Sequence, residues 1–528
     1  MSIIISDLSY HYSNQHLLFN HLSFSIEKQE KVSIVGDNGV GKSTLLKLMA
    51  NLIEPSAGNI TSSSKPYYIP QNIGLTNQSV AEALNVDNKL VALDAIMRGS
   101  ISHSDFEILD DDWEIETRCQ TALSYWQLSN VTIHTRMSEL SGGEKTRVLL
   151  AGLLIHTPDI ILLDEPSNHL DRTGRKLLYQ FLEQSKSTFV VVSHDITLLN
   201  QLPLTYELSE TRMKRYGGNF FFYRKQKEIE DNALEEDINE EEKALRIARK
   251  KAQEIKQRQE RRLEKGQKNK AEVPRILKKT LTNSSENTAS KLKEQHEEII
   301  SHSKSKLTEL RQQRKALKNL KIDFDNASLH SGKLLFEARQ LNFGYEISKI
   351  LWKKPMNFKL FSNDRVRISG NNGIGKTTFI KILTGSLPPT SGQVTRANFS
   401  WIYLDQEYSP VDVDCSIEKL AESYNHNNLQ EHEIKIRLNR FLFPSSMWDR
   451  NCHQLSGGEK MRLYLCCLMI SSQTPDLIIL DEPTNNLDIS NLEVLTRTIK
   501  DYKGSLMVIS HDDYFISEIG ITIDLLLE

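Results

Sequence analysis

Gly36-Asp37-Asn38-Gly39-Val40-Gly41-Lys42-Ser43-Thr44 decides the reading of this chain, because Gly370-Asn371-Asn372-Gly373-Ile374-Gly375-Lys376-Thr377-Thr378 repeats it 334 positions later. Both stretches fit G-x-x-x-x-G-K-[ST], the P-loop pattern. The apolar run Val32-Ser33-Ile34-Val35 precedes the first, and the helical pattern Thr44-Leu45-Leu46-Lys47-Leu48-Met49 follows it. Glycines let backbone N–H groups converge on phosphate oxygens. The helix behind them adds a partial positive charge of about half a unit. Lys42 and Lys376 would then contact the β- and γ-phosphates, and Ser43 and Thr377 would ligate Mg²⁺.

Three more elements return in the same order. Leu140-Ser141-Gly142-Gly143-Glu144 recurs as Leu455-Ser456-Gly457-Gly458-Glu459, and Leu163-Asp164-Glu165-Pro166 as Leu480-Asp481-Glu482-Pro483. Ser193-His194-Asp195 recurs as Ser510-His511-Asp512, and both Glu165 to Glu482 and His194 to His511 span 317 positions. Asp164 and Asp481 end apolar strands and would anchor the waters of the metal. Glu165 and Glu482 follow directly, placed to orient or deprotonate an attacking water. His194 and His511, also at strand ends, can reach a γ-phosphate. Gln71 and Gln406 follow the short runs Tyr67-Tyr68-Ile69-Pro70 and Trp401-Ile402-Tyr403-Leu404-Asp405, and would sense the metal or the water. Tyr12 and Tyr345 lie about 30 residues before the P-loop lysines, where either can stack on a purine. Tyr10 and Phe343 alternate with them and read as core.

The repeat sets the organisation. A first α/β cassette spans 1–222, a charged helical linker 223–333, and a second cassette 334–528. The offset between the halves falls by about 18 between the glutamines and the glutamates, which predicts an insertion within about 86–116 of the first cassette. The linker reads as two long helices, one from about Tyr223 to Leu263 and one from about Ser290 to Leu320, interrupted by Gly266 and Pro274. Leu292, Ile300, Leu307, Leu310 and Leu317 stand near heptad spacing. About 40 helical residues extend roughly 60 Å, so a hairpin tip would stand clear of the cassettes.

Composition narrows the class. Charged residues make up 26% and hydrophobic residues 39%, ordinary for a globular protein. No apolar run approaches the roughly 18 residues that span a bilayer. The start, Met1-Ser2-Ile3-Ile4-Ile5-Ser6, carries no signal-peptide pattern. Five scattered cysteines (Cys119, Cys415, Cys452, Cys466 and Cys467) form no C-x-x-C pair and read as small core residues in a reducing, cytoplasmic setting. The net charge of −3 hides a local asymmetry. Glu228 to Glu242 holds nine carboxylates and no basic side chain, whereas Lys243 to Lys279 holds fifteen Lys or Arg against four Glu, a balance of +11. Such a basic cluster attracts phosphate. A solvated, salt-bridged helix face is the other reading.

P-loop, Gln, L-S-G-G-E, L-D-E-P and S-H-D in this order resemble the ATP-binding cassette ATPases. The resemblance implies that two cassettes dock head to tail and sandwich two ATPs, an intramolecular dimer within a monomer. Carried over, the first site would join Gly36 to Thr44, Gln71, Asp164, Glu165 and His194 with Ser456, Gly457, Gly458 and Glu459. The second would join Gly370 to Thr378, Gln406, Asp481, Glu482 and His511 with Ser141, Gly142, Gly143 and Glu144. The Mg²⁺ sets would be Ser43, Gln71 and Asp164, and Thr377, Gln406 and Asp481. Both sites keep every consensus group and are expected to hydrolyse ATP. Asn486 stands where the first half has His169, a departure expected to matter little.

Twin cassettes, a charged helical linker and Arg215-Tyr216-Gly217-Gly218-Asn219 ahead of it are similar to the F subfamily, which are ribosome-associated translation and antibiotic-resistance factors. That resemblance implies a linker hairpin entering the tRNA exit site and contacting rRNA and tRNA, with no DNA and no membrane partner. It places the subfamily's ribosome-touching arm at the insertion, although a surplus of about 20 residues falls short of a full arm hairpin. The chain stops at Leu525-Leu526-Leu527-Glu528 without a basic tail. Protection of the ribosome from 50S-targeting antibiotics is the expected role. A general translation factor and the ATPase subunit of a separate membrane transporter are the alternatives.

Overall fold

The computed structural model describes all residues except 13–16, 72–73, 75–76, 210–211, 269–297, 299, 309, 312–331, 346–349, 427, 472–474 and 486. The expected hairpin tip at Lys270 to Glu286, Leu292, Leu317 and Asn486 therefore lie outside the described residues. The chain divides into two compact units, one of Met1–Phe221 with Leu320–Glu528 and the other Phe222–Asn319. Among the described residues no helix is long and apolar enough to cross a membrane.

Each cassette is built on a mainly parallel sheet. In the first, β3 (Lys31–Val35), β5 (Tyr67–Ile69), β6 (Ile160–Asp164), β7 (Thr188–Val192), β8 (Leu204–Leu208) and β9 (Met213–Tyr216) run in the order β5-β6-β7-β3-β8-β9. Only the β8–β9 pair in it is antiparallel. The second repeats the order with β14 (Trp401–Leu404), β15 (Leu477–Asp481), β16 (Ser505–Ile509), β12 (Arg365–Ser369) and β17 (Ile523–Leu526). The four strands β6, β7, β15 and β16 are buried at every position, as apolar strands covered on both faces must be. A three-stranded antiparallel sheet flanks each core: β2 (Leu17–Ile26), β1 (Ile3–His11) and β4 (Ala57–Ser62) in the first, β11 (Met356–Phe361), β10 (Leu334–Asn342) and β13 (Ser391–Arg396) in the second. Ile5, Phe19, Ile34 and Leu46 join the two sheets of the first cassette in one core, as Phe336, Leu360, Ile368 and Phe379 do in the second.

The insertion is two short helices, Asp87–Met97 and His103–Leu109, which pack on each other. The second cassette passes from helix Ile417–Ser423 to helix Glu431–Arg440 without them. Asp110 and Asp111 take left-handed φ values of 50° and 56° and turn the chain back. Asp112 accepts hydrogen bonds from Lys89 at 3.1 Å and Arg118 at 2.5 Å, tying the insertion to helix Ile115–Tyr125.

Helix Phe220–Lys268 runs for 49 residues. Within the second unit Ile238 and Leu245 pack with Leu307 as a small core, flanked by Leu234, Ile300 and Leu310. Ion pairs Lys306–Glu241 at 3.0 Å and Arg311–Glu242 at 2.7 Å border it. Residues 300–308 are thus a second helical segment lying beside the first.

Candidate nucleotide sites

Both P-loops leave the carboxyl end of a central strand, β3 and β12, where open α/β sheets present ligands. Gly41 and Gly375 cap the helices Lys42–Met49 and Lys376–Thr384 at left-handed φ values of 99° and 94°. A Cβ on Gly41 would stand 2.7 Å from Leu18 and Phe19, so both backbone angle and space demand glycine. Lys42 Nζ donates to the carbonyls of Gly36 (2.8 Å) and Asp37 (3.1 Å), and Lys376 Nζ to those of Gly370 (2.9 Å) and Asn371 (3.2 Å). Burial pushes the pKa of both lysines down, against the charges of Glu165 and Glu482 respectively. Val40 and Ile374 pack their side chains against the cores.

Of the residues expected around Mg²⁺, the hydroxyl and the aspartate of each site come together. Ser43 Oγ donates to Asp164 Oδ1 at 3.1 Å and Thr377 Oγ1 to Asp481 Oδ2 at 2.7 Å. Two tyrosines not anticipated from the motifs complete these pairs: Tyr68 donates to Asp164 Oδ2 at 3.2 Å and Tyr403 to Asp481 Oδ2 at 2.9 Å. Each stands three positions before its glutamine, a recurrence visible in the sequence. Among the described residues no group of three or more His, Cys, Asp or Glu could hold a metal alone. One hydroxyl and one carboxylate per site suit a hard cation that keeps other ligands from phosphate and water, as Mg²⁺ does. Gln71 lines the first cleft, and Gln406 is exposed after β14.

The glutamates are held in strain. Glu165 and Glu482 have left-handed φ values of 51° and 49°, costly for a residue with a Cβ and concentrated at functional sites. Their N–H groups donate to Val192 and Ile509 carbonyls at 2.8 and 2.9 Å, which fixes that backbone. Oε2 of Glu165 accepts the His194 N–H at 3.1 Å. Oε1 of each glutamate is buried without a hydrogen bond, 3.4 Å from Nε2 of His194 or His511. Buried acceptors without partners are rare and mark a place for a donor such as water. Burial pushes Glu165 up to about 8 and Glu482 up to about 7. Burial likewise lowers His194 and His511 to about 3, so both imidazoles are neutral.

Tyr12 and Tyr345 bond through their hydroxyls to Thr44 (2.6 Å) and Thr378 (2.8 Å), and both rings stay exposed. Glu144 and Glu459, expected among the nucleotide contacts, cap helices. Glu144 and Ser141 form a reciprocal capping box on helix Gly142–His156. Glu459 Oε2 likewise accepts from Ser456 N–H and Oγ at 2.8 and 2.7 Å. These carboxylates cap the helices, leaving Ser141, Gly142 and Gly143, and Ser456, Gly457 and Gly458, at the helix starts.

The cassettes meet in the first unit, where the second P-loop lies beside the Gly142–His156 helix start. Gly143 lies beside Asn372 of the second P-loop, and Asn372 Nδ2 donates to the His169 carbonyl at 3.3 Å. A cleft of about 370 Å³ lies over the first P-loop, in the usual size range for small-molecule sites. Tyr12, Lys42, Gln71, Asp164, Glu165 and His194 line it with Thr484, Asn485, Leu487 and Asp512 of the second cassette. Ser456, Gly457 and Gly458 are not in its lining.

The family description "ABC transporter" matches residues 19–168 and 353–485, one stretch per cassette. YfmM of Bacillus subtilis, named an uncharacterized ABC transporter ATP-binding protein, is 30% identical, covering 98% of this chain and 97% of its own. The chain belongs to the ATP-binding cassette family, F subfamily. ABC transporter F family member 5 of Arabidopsis thaliana is 29% identical over 94% of this F-subfamily chain and 71% of its own length. Among solved structures, the archaeal ribosome recycling factor aABCE1, in complex with ribosomal stalk protein aP1, has a TM-score of 0.59 at 19% identity. It covers 98% of this chain and 86% of its own, which marks a shared twin-cassette fold.

Proposed function

We propose that this F-subfamily chain hydrolyses ATP at two sites between its cassettes and uses the hydrolysis to time its residence on the ribosome. The observation that carries the reading is the duplicated glutamate. Each is buried and strained, with one acceptor lacking a hydrogen bond, beside a neutral histidine and a P-loop lysine. Such a group can take the proton of a water attacking the γ-phosphate, while the histidine holds the phosphate and the lysine balances its charge. Ser43 with Asp164, and Thr377 with Asp481, are the residues to hold Mg²⁺, which when bound neutralises charge on the phosphates. ATP shifts the cassettes to the closed form only by its preference for that form.

The helical linker unit supplies the ribosome contact in this reading, through the basic cluster after Lys243 and toward rRNA and tRNA near the exit site. That the neighbour aABCE1 is a ribosome recycling factor supports this assignment. The role is protection from 50S-targeting antibiotics, set against a general translation factor of the same subfamily. Susceptibility of a host expressing the chain separates the two. The direct test is Glu165→Gln with Glu482→Gln, which should lower turnover at least 100-fold and accumulate the ribosome-bound form in ATP. A double variant that co-sediments with ribosomes no better than the native chain sinks the proposal. Recovery in the membrane pellet instead would point to the transporter subunit.

A further inference from the structure

Strands β14 and β15 run parallel, with Leu404 opposite Leu480, so the turn after β14 leaves the sheet beside Asp481, Glu482 and Pro483. Two tyrosine hydroxyls cross between them. Tyr403 donates to Asp481 Oδ2 at 2.9 Å, and Tyr408 donates to the Pro483 carbonyl at 2.9 Å. The residues on either side of Glu482 are thus both held from the segment that carries Gln406. Tyr408 is buried, 3% exposed, at a left-handed φ of 56°. A bulky residue adopts that angle only where its surroundings fix it. Here the Tyr408 N–H donates to the Asp405 carbonyl at 3.2 Å, the Val411 N–H to the Tyr408 carbonyl at 2.9 Å, and the Ser409 N–H to Asp405 Oδ1 at 2.8 Å. Proline has no backbone N–H, so its carbonyl is the one main-chain group by which a hydrogen bond can hold Pro483. The first cassette keeps half of this arrangement in its sequence. Tyr68 matches Tyr403, but Ile73 stands two positions after Gln71, where Tyr408 stands two after Gln406. An isoleucine side chain has no hydrogen to donate.

We propose that Tyr408 is a positioning residue for Glu482, a hold on the second glutamate that the first cassette's sequence does not provide for Glu165. Glu482 is strained at a φ of 49°, and its own N–H ties it on one side to the Ile509 carbonyl at 2.9 Å. Tyr408 ties the other side through the next residue. Between these two bonds Oε1 stays buried without a hydrogen bond, 3.4 Å from His511 Nε2. Without the hydroxyl the peptide after Pro483 is free to turn, and the strain at Glu482 relaxes by moving that oxygen away from the water it is to receive. The hydrogen bonds of Tyr408 reach Asp405, Val411, Asp412 and Pro483 and no P-loop residue, so the effect falls on turnover rather than on nucleotide affinity.

The inference rests on the ATPase reading, and the experiment separates the two. Turnover is measured in a Glu165→Gln background, where only the second site works, and in a Glu482→Gln background, where only the first does. Tyr408→Phe, which keeps the buried ring and removes the hydroxyl alone, should lower second-site kcat at least fivefold with KM for ATP changed less than twofold. Thr484, Asn485 and Leu487, just beyond Pro483, line the cleft over the first P-loop, so the first site is the control for a general loosening of that loop. Its kcat should fall less than twofold. Where the Glu165→Gln chain turns over too slowly to read, Tyr408→Phe in the native chain carries the test, as a fall in kcat of at least a third at unchanged KM. An unchanged kcat, equal losses at the two sites, or a loss that lies in KM overturns the inference. An absence of ATP turnover in the native chain instead overturns the reading beneath it.

Discussion

Gly143 shows how much a single missing Cβ decides. An added Cβ would stand 2.6 Å from the His169 carbonyl oxygen, a backbone atom that also accepts from Asn372. Alanine is the better helix former by about 1 kcal/mol, so local propensity does not oppose Gly143→Ala. The clash does, and it falls on the contact between cassettes. We expect turnover to drop at least tenfold with the thermal midpoint within a few degrees of the native value; unchanged turnover would show the contact to be dispensable. Asp512 carries a second residue-scale prediction. Burial, then the charge of Asp195, pushes its carboxyl up to about 6. A raised acid pKa favours the folded state below the unfolded value near 4, and that stability is lost as pH rises through 6. Two pK units correspond to about 3 kcal/mol at most. Asp512→Asn keeps the capping oxygen, so it should raise the thermal midpoint at pH 7–8 and lose that advantage below pH 4. An advantage independent of pH would refute the assignment. At this scale the motifs were legible because phosphate chemistry constrains them: P-loop, glutamate and histidine all stand at their sheet ends. Tyr68 and Tyr403 were not legible, because their roles depend on partners 96 and 78 positions away.

Elements follow from local pattern where burial is strong. The apolar runs before the motifs form buried strands in the same order twice, as the repeat requires. The surplus within 86–116 is a helix pair held by Asp112, and its presence was readable from the offset alone. Its internal shape was not, since few of its positions alternate cleanly and Val91, Met97 and Ile101 are exposed. The linker helix forms despite a polar sequence, and its support is a small core. Leu307→Ala should cost about 2–3 kcal/mol locally. Because that core lies outside the cassettes' unit, ATP turnover should hold while amide exchange in helix Phe220–Lys268 accelerates and ribosome co-sedimentation weakens. Unchanged exchange would contradict the packing.

At the scale of the molecule, two cassettes with the same core strand order share one compact unit, and they differ in the helix pair inserted in the first and in side chains at their boundary. In the proposed cycle, nucleotide and the two glutamates act at that boundary. In the proposed function the basic linker makes the ribosome contact, so binding should weaken steeply with salt. The most direct measurement is co-sedimentation of the purified chain with ribosomes in ATP, in ADP and without nucleotide, for the native protein and the Glu165→Gln, Glu482→Gln variant. Retention should be strongest for the variant in ATP and largely lost in ADP. Retention that is absent, or equal under every nucleotide condition, would contradict the proposed function even if the chain cleaves ATP.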